Sequence, residues 1–473
     1  MDHAKARAFI NARWDESIIP TLSDYIRIPN KSPAFDAEWE SKPHMDDAVA
    51  MFHDWCLGEP IDGMRAEVVK LEGRTPLLFI EVPATPGCED KGTVMMYGHY
   101  DKQPEFDGWR EGLSPWEPVI KDGKLYGRGG ADDGYAMFGS LTGIRTLQDQ
   151  GVPHGRAVII IEGCEESGSS DLPYYIEHLR DRIGSPDLVV CLDAECGNYT
   201  QLWCNTNLRG NLTGNLKVRV LSEGVHSGGS GIVVDSFRVL RQLLDRVEDP
   251  LTGETKVPAL ATAIPPHRIE EARASAKVLD IENLQEKFPF VGNGGPVSDD
   301  PETLILNMTW RATMTVTGAE GLPALRDAGN VLRPYTTVKL SFRLPPNCDP
   351  VKAGEDVKRI LEADPPYGAE VRFDVHLPNP GWDAPPIADW LSAAMDEGSK
   401  AFFDGNGVMY TGTGGTIPFM SMLGEMFPDA QFLVTGLLGP HSNAHGPNEF
   451  LHIACGKGLT GCVAAVLEAH AAR

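Results

Sequence analysis

The sequence predicts an α/β protein in which a domain with a mostly parallel sheet flanked by helices is interrupted by an inserted ferredoxin-like α+β domain. Three observations carry that expectation. Apolar, β-branched runs alternate with helical stretches in the first half, the order that builds a parallel sheet with covered faces. Three of those runs, 93–97, 157–161 and 188–192, end in clusters of His, Asp and Glu. From about residue 208 the order becomes β-α-β-β-α-β, the split unit of ferredoxin-like domains.

Taken in order, the run 93–97 leads into GHYD, the run 157–161 into EGCEESGS and the run 188–192 into DAE. Open α/β sheets bind ligands at the carboxyl ends of their strands, so each cluster stands where a site is expected. Between the first two, Met137, Leu141, Ile144 and Leu147 recur at helical spacing before Gly151, which reads as a crossover helix with a glycine stop. Further on, Leu212, Gly214, Leu216, Val218 and Val220 alternate with Thr213, Asn215, Lys217 and Arg219, a half-buried strand. A helix follows through Val234, Phe237, Leu240, Leu244 and Val247, then strands at 304–316 and 338–344, a helix opened by Asp349 and Pro350, and a strand at 371–377. The stretch 248–301 reads as irregular. Helical patterning and glycine-rich turns resume after about Trp382. The expected organisation is therefore 1–207 for the first part of the catalytic domain, 208–381 for the insertion and 382–473 for the second part.

At 473 residues and 42% apolar content the chain is long enough for two cores. A formal charge of -25 argues against a nucleic-acid partner, whose phosphates need Lys and Arg. A small-molecule or peptide substrate fits better. The charged opening segment and the lack of a long apolar run give the expectation of a cytoplasmic protein with no membrane partner. Nine cysteines, odd in number and without a CxxC pair, signal neither a disulfide framework nor a thiolate metal site, so they are expected to be reduced core residues.

Divalent cations need carboxylate oxygens and imidazole nitrogens converging on one point. In GHYD, His99 can ligate while Asp101 bonds its other ring nitrogen. In LYGRGGADDG, Asp132 and Asp133 stand side by side, where one carboxylate can bridge two cations. Glu165 and Glu166 leave a strand end in different directions, so that one can ligate and the other act as general base. Asp193 in CLDAE and His445 in GPHSNAHGPNEF complete the set. Each motif alone has an ordinary explanation, such as a helix N-cap for the aspartates or a solvated surface for the glutamates. Their coincidence on successive strand ends of one sheet does not.

The combination GHYDKQP, DGKLYGRGGADD, EGCEESGS, VHSGGSGI, LSFRLPPN and GGTIP resembles the metallopeptidase family that contains carnosine and other cytosolic dipeptidases, glutamate-releasing carboxypeptidases, aminoacylases and acetylornithine deacetylases. The resemblance spans nearly the whole chain and looks closest to the cytosolic non-specific dipeptidases. It implies a dinuclear hydrolase of peptide or other amide bonds, using two divalent cations per subunit, Zn2+ or else Mn2+ or Co2+. His99, Asp132 and Asp193 would hold one cation and Asp132, Glu166 and His445 the other, with Glu165 as general base and Asp101 orienting His99. It also implies a cis peptide between Asp132 and Asp133 and a homodimer in which His226 and Asn330 reach the opposite subunit's site, His226 polarising the scissile carbonyl. Arg343 and Thr416 would bind substrate, Arg343 through a carboxylate. Two departures stand out: Gly134 follows the aspartate pair where a lysine is usual, and Leu332-Arg333-Pro334 replaces a more common apolar turn. Dipeptides or short peptides are the first expected substrate, and N-acyl amino acids the alternative. A silent metal-binding scaffold is the rival outside enzymes, against which the retention of Glu165 and of all five ligands argues.

Overall fold

The computed structural model describes residues 1–279, 288, 290–376, 378–415 and 417–473. Its larger sheet begins with β1 (Arg65–Val69), β2 (Leu77–Val82) and β3 (Thr93–His99), crosses over through α1 (Ala136–Asp149), and continues with β4 (Arg156–Glu162) and β5 (Leu188–Cys191). β4 pairs parallel with β3 and β3 parallel with β5, while β1 and β2 run antiparallel at one edge. Strands covered on both faces need apolar side chains at every position, and these runs supply them. Val94, Met96, Ile159 and Val190 enter one core, whereas Met95, Tyr97, Val158, Ile160 and Val189 enter the other. The apolar stripe of α1, including Met137, Leu141, Ile144 and Leu147, lies in the first. Gly98 allows the close approach: a Cβ there would stand 2.3 Å from that of Ala136 and 2.6 Å from Asp133 Oδ2.

The insertion holds β6 (Gly210–Arg219), α2 (Ser236–Leu244), β7 (Thr313–Glu320), β8 (Tyr335–Leu344), α3 (Pro350–Glu362) and β9 (Glu370–Val375). Its strands pair antiparallel in the order β7-β8-β6-β9, the expected ferredoxin-like arrangement. Leu212, Leu216 and Val218 of β6 meet Leu240 and Leu243 of α2 and Val357 and Leu361 of α3 in a core of their own. Asp349 caps α3 as its sequence suggests, its carboxylate accepting from Val351 N at 3.0 Å and Lys352 N at 3.1 Å.

Two expectations are corrected here. Residues Pro301–Thr309 form a helix, and strand pairing starts only at Thr313, so 304–316 is not one strand. The apolar run of Leu304, Ile305 and Leu306 suits either element, but Pro301 after Asp300 is a helix start, and the Asp300 carboxylate accepts from Thr303 N at 3.0 Å. The stretch 248–301 also contains the helix Pro266–Ser275. Arg268 on it donates to Asp383 at 3.0 Å and to Ala384 O at 2.8 Å, which fastens that part of the insertion to the segment after it. The strand expected at 371–377 ends at Val375, and Leu377 lies outside the described residues.

After the insertion, β10 (Gln431–Val434) pairs parallel with β5 and completes the order β1-β2-β4-β3-β5-β10. The final helix, α4 (Ile453–Ala471), packs on α1, where a Cβ at Gly143 would come 3.0 Å from Val463. All nine cysteines are buried and unpaired, as expected. No described helix is long and apolar enough to cross a membrane. Because β4, β3, β5 and β10 run in one direction, the segments leaving their carboxyl ends share one edge. Gly98→Ala should lose stability by about 1–3 kcal/mol through overpacking at that edge, seen as a lower urea midpoint with an unchanged slope.

Candidate metal centre

His99 closes β3 and is fully buried. Its Nε2 lies 3.3 Å from Asp132 Oδ1 and 3.9 Å from Asp193 Oδ1, and its Nδ1 lies 3.1 Å from the main-chain oxygen of Asp101. An Nδ1–H donated to that carbonyl turns Nε2 toward two carboxylates, the position from which the deprotonated ring would ligate a cation. Asp132 stands between two imidazoles, since His445 Nε2 lies 3.1 Å from its Oδ2 and 3.2 Å from Glu166 Oε2. Glu166 Oε1 and Asp133 Oδ1 are nonetheless buried without a hydrogen-bond partner among the described residues. Ligand atoms of His99, Asp132 and Glu166 lie within 4.8 Å of one another, as do those of His99, Glu165 and Asp193. The peptide between Asp132 and Asp133 is cis.

Electrostatics describe the same need. Burial drives the carboxyls of Glu165 and Glu166 well above the usual range, with the charge of Asp193 adding at Glu165 and that of Asp132 at Glu166. Burial likewise pushes Asp193 up to about 6, against the pull of His99. Asp132 alone is held down: burial opposes its charge, but hydrogen bonding to His445 and His99 outweighs it. His99 is held protonated well beyond the ordinary range, burial being overcome by Asp101 and Asp132. Such a set cannot all ionise unaided. Orphaned carboxylate oxygens, paired imidazoles and an oxygen-rich donor set fit divalent cations such as zinc, manganese or cobalt.

Local structure fixes these groups. The Asp101 carboxylate accepts from Glu165 N at 3.1 Å and Glu166 N at 3.0 Å, so one side chain seats both glutamates while its own carbonyl orients His99. Asp133 Oδ2 accepts from His99 N at 3.3 Å. Below, Glu162 is buried and pushed up to about 8 by desolvation, accepting from Ser169 at 2.8 Å and from Tyr97.

Residues that the sequence motifs contained but did not single out join the loops. Arg128 donates to Glu449 Oε2 at 2.6 Å and to Gly446 O at 2.7 Å, and Glu449 Oε1 accepts from Gly129 N at 3.0 Å. The pair is buried and ties the turn carrying Asp132 to the loop carrying His445. Gln103 donates to Glu166 Oε2. Nothing in the local sequence marks Arg128 or Glu449 as members of a buried pair, since they meet across 321 residues. Elsewhere, His226 and Asn330 are neighbours on the exposed rim of the insertion, where Ser227 N donates to Asn330 O at 2.9 Å. Neither has a hydrogen bond to the cluster. Arg343 lies half-buried on β8 without a hydrogen-bond or ion-pair partner among the described residues. Thr416 lies outside the described residues.

A parallel sheet that gathers carboxylates, a buried imidazole and a second, exposed one at its carboxyl edge has the donor set of a metal-dependent hydrolase. The chain belongs to peptidase family M20/M25/M40, whose profile matches residues 95–469, and it is accordingly a metallopeptidase of the peptide-bond-hydrolysing kind. It is 28% identical over 380 residues to a cysteinylglycine-S-conjugate dipeptidase of Corynebacterium striatum, covering 77% of this chain and 79% of the relative. It is 29% identical over 300 residues to the human Beta-Ala-His dipeptidase, covering 61% of this chain and 56% of that protein. In structure it is similar to human carnosine dipeptidase 1, with a TM-score of 0.78 at 23% identity over 100% of this chain and 99% of the other. The dipeptidase Dug1p of Saccharomyces cerevisiae gives 0.76 at 21% identity over 100% of both.

Arg128→Met leaves Glu449 buried and unpaired and should cost about 3–5 kcal/mol in urea unfolding. Adding Glu449→Gln to it should recover part of that loss, since the two side chains act as a unit.

Proposed function

We propose that this protein is a homodimeric, two-cation dipeptidase, cutting the amide bond of dipeptides or short peptides. The observation that carries the reading is Asp132 set between His99 and His445, at 3.3 and 3.1 Å, with Glu165 beside them. His99, Asp132 and Asp193 would hold one cation and Asp132, Glu166 and His445 the other. Bound there, two cations, zinc or else manganese or cobalt, would lower the pKa of a water and stabilise charge on the scissile carbonyl oxygen.

The chain's own groups do the rest. Glu165 takes a proton from the attacking water and delivers it to the leaving nitrogen, a role favoured by a carboxyl whose proton affinity burial has raised. Asp101 keeps both glutamates and His99 in register. Arg343, a guanidinium without a partner among the described residues, takes the substrate's carboxylate as a fork, with Asn330 and Thr416 as further substrate contacts. His226, remote from the cluster of its own chain, donates to the carbonyl oxygen across a dimer. The catalytic parts are 1–207 and 382–473, the lid and dimerisation domain is 208–381, and the enzyme is cytoplasmic.

Glu165→Gln should lower kcat by about 10²–10⁴-fold at unchanged metal content, checked by dipeptide hydrolysis and elemental analysis. Chelation should lower the melting temperature as well as activity, and readdition of zinc or manganese should restore both. Inactive Glu165→Gln and His226→Ala proteins, mixed and exchanged, should regain activity. A mixture that stays inactive although subunit exchange is shown would overturn the shared site.

A further inference from the structure

The strand Trp203–Leu208 enters the insertion through Arg209, a buried arginine that the proposed chemistry does not use. Its guanidinium reaches three separate segments. Nη1 donates to Asn307 O at 3.1 Å, to Arg311 O at 3.2 Å and to Thr313 Oγ1 at 3.3 Å, while Nε donates to Gly414 O at 3.3 Å. Its main-chain N donates to Thr413 O at 3.3 Å. We propose that Arg209 is a positioning residue for the substrate-carboxylate subsite, holding the strand beside Arg343 and the glycine-rich loop 412–415 in one register. This rests on the reading in which Arg343 takes the carboxylate, and adds what keeps that guanidinium in place.

The helix Pro301–Thr309 ends in carbonyls that its own amides cannot satisfy, and a cation is favoured at that negative end. Arg209 takes Asn307 O there. Asn207, two residues earlier and so on the same side of the extended chain, donates to Thr309 O at 2.8 Å. Glycines in the loop 412–415 make room for both side chains: a Cβ at Gly412 would stand 2.3 Å from Asn207 Nδ2, and one at Gly414 would stand 3.3 Å from Arg209 Nη2. That loop leads into Thr416. One guanidinium thus ties the insertion to the part of the chain that follows it.

The link to Arg343 runs through strand register. Thr313 of β7 stands opposite Arg343 of β8, and Asn211 of β6 stands opposite it on the other side. Directly opposed residues share a face of the sheet, so the Thr313 hydroxyl that Arg209 holds lies on the face from which the Arg343 side chain projects. The two charges feel each other: burial lowers Arg209 to about 10, the charge of Arg343 adds to this, and that of Glu195 opposes it. Arg209 gives its donors to carbonyls and a hydroxyl, whereas Arg343 has no hydrogen-bond or ion-pair partner among the described residues. A carboxylate arriving at Arg343 therefore relieves a repulsion as well as filling a fork. Lysine is no equivalent at 209, because one ammonium cannot span the segments that a planar fork reaches.

The test compares alanyl-phenylalanine with its C-terminal amide, which lacks the carboxylate charge, on metal-loaded wild-type, Arg209→Lys and Thr313→Val proteins. Arg209→Lys should raise KM for the acid by about 10-fold, the scale of a weakened charge-assisted contact, with kcat and the constants for the amide changed by less than about twofold. Thr313→Val removes only the hydroxyl that Arg209 holds. It should raise the same KM by about 2–4-fold at wild-type melting temperature, and it carries the test if Arg209→Lys does not fold. Where the amide is cleaved too slowly to follow, its Ki against the acid replaces KM. A rise in KM confined to the acid in either variant supports the positioning role. Equal losses on acid and amide in every folded variant, as a merely structural arginine would give, or no change in KM, overturn it. A wild type that cleaves dipeptides without distinguishing acid from amide overturns the carboxylate subsite as well and leaves the peptidase reading standing. A wild type that cleaves no free dipeptide overturns both.

Discussion

Like charges held close together in a dry place repel strongly, and the protein gathers Asp132, Glu165, Glu166 and Asp193 at one sheet edge with only two imidazoles between them. Much of the surrounding architecture reads as the means of holding that arrangement. Parallel pairing of β4, β3 and β5 brings the strand ends together. Asp101 seats the two glutamates through their amides, and the buried pair of Arg128 and Glu449 fixes the turn of Asp132 against the loop of His445. Each of these contacts uses a charge or a main-chain group to restrain a segment that repulsion would otherwise move apart. A cation supplies what the side chains lack.

The acids of the site differ in environment, and the difference fits the roles proposed for them. Asp132 keeps its charge because both imidazoles point at it, whereas burial raises the proton affinity of Glu165, which has no such pair. A position that stays anionic suits a ligand, and one that readily accepts a proton suits proton transfer. The insertion contributes chemistry of another sort. It offers an Arg343 without a hydrogen-bond or ion-pair partner among the described residues and an exposed His226 whose ring accepts from Gly228 N.

How legible this was varied with the kind of signal. Strands buried on both faces leave unbroken apolar runs, so β3, β4 and β5 were readable to within about two residues, and the ligand clusters followed from where those runs stopped. The ferredoxin-like order was readable because β6 alternates with period two and α3 carries its Asp349 cap. The helix at Pro301–Thr309 was not, because three adjacent apolar residues fit either period, and its packing partner Ala272 is distant in sequence. Arg128 and Glu449 escaped for a related reason. Nothing local distinguishes a charged residue that will be buried in a pair from one on a solvated surface, since the difference is made by segments far along the chain.

Glu449 meets Arg128 across a sequence separation of 321 residues, and His445 reaches Asp132 in the same way. During synthesis the first strands, the turn of Asp132 and both glutamates therefore exist long before the segment that closes the site emerges from the ribosome. Until then the nascent chain carries half a cation-binding centre with its carboxylates uncompensated and Arg128 without its acid. Docking of the segment that carries His445 and Glu449 brings Arg128 its acid and Asp132 its second imidazole in one event. The cluster is therefore assembled only after the whole intervening insertion has been made.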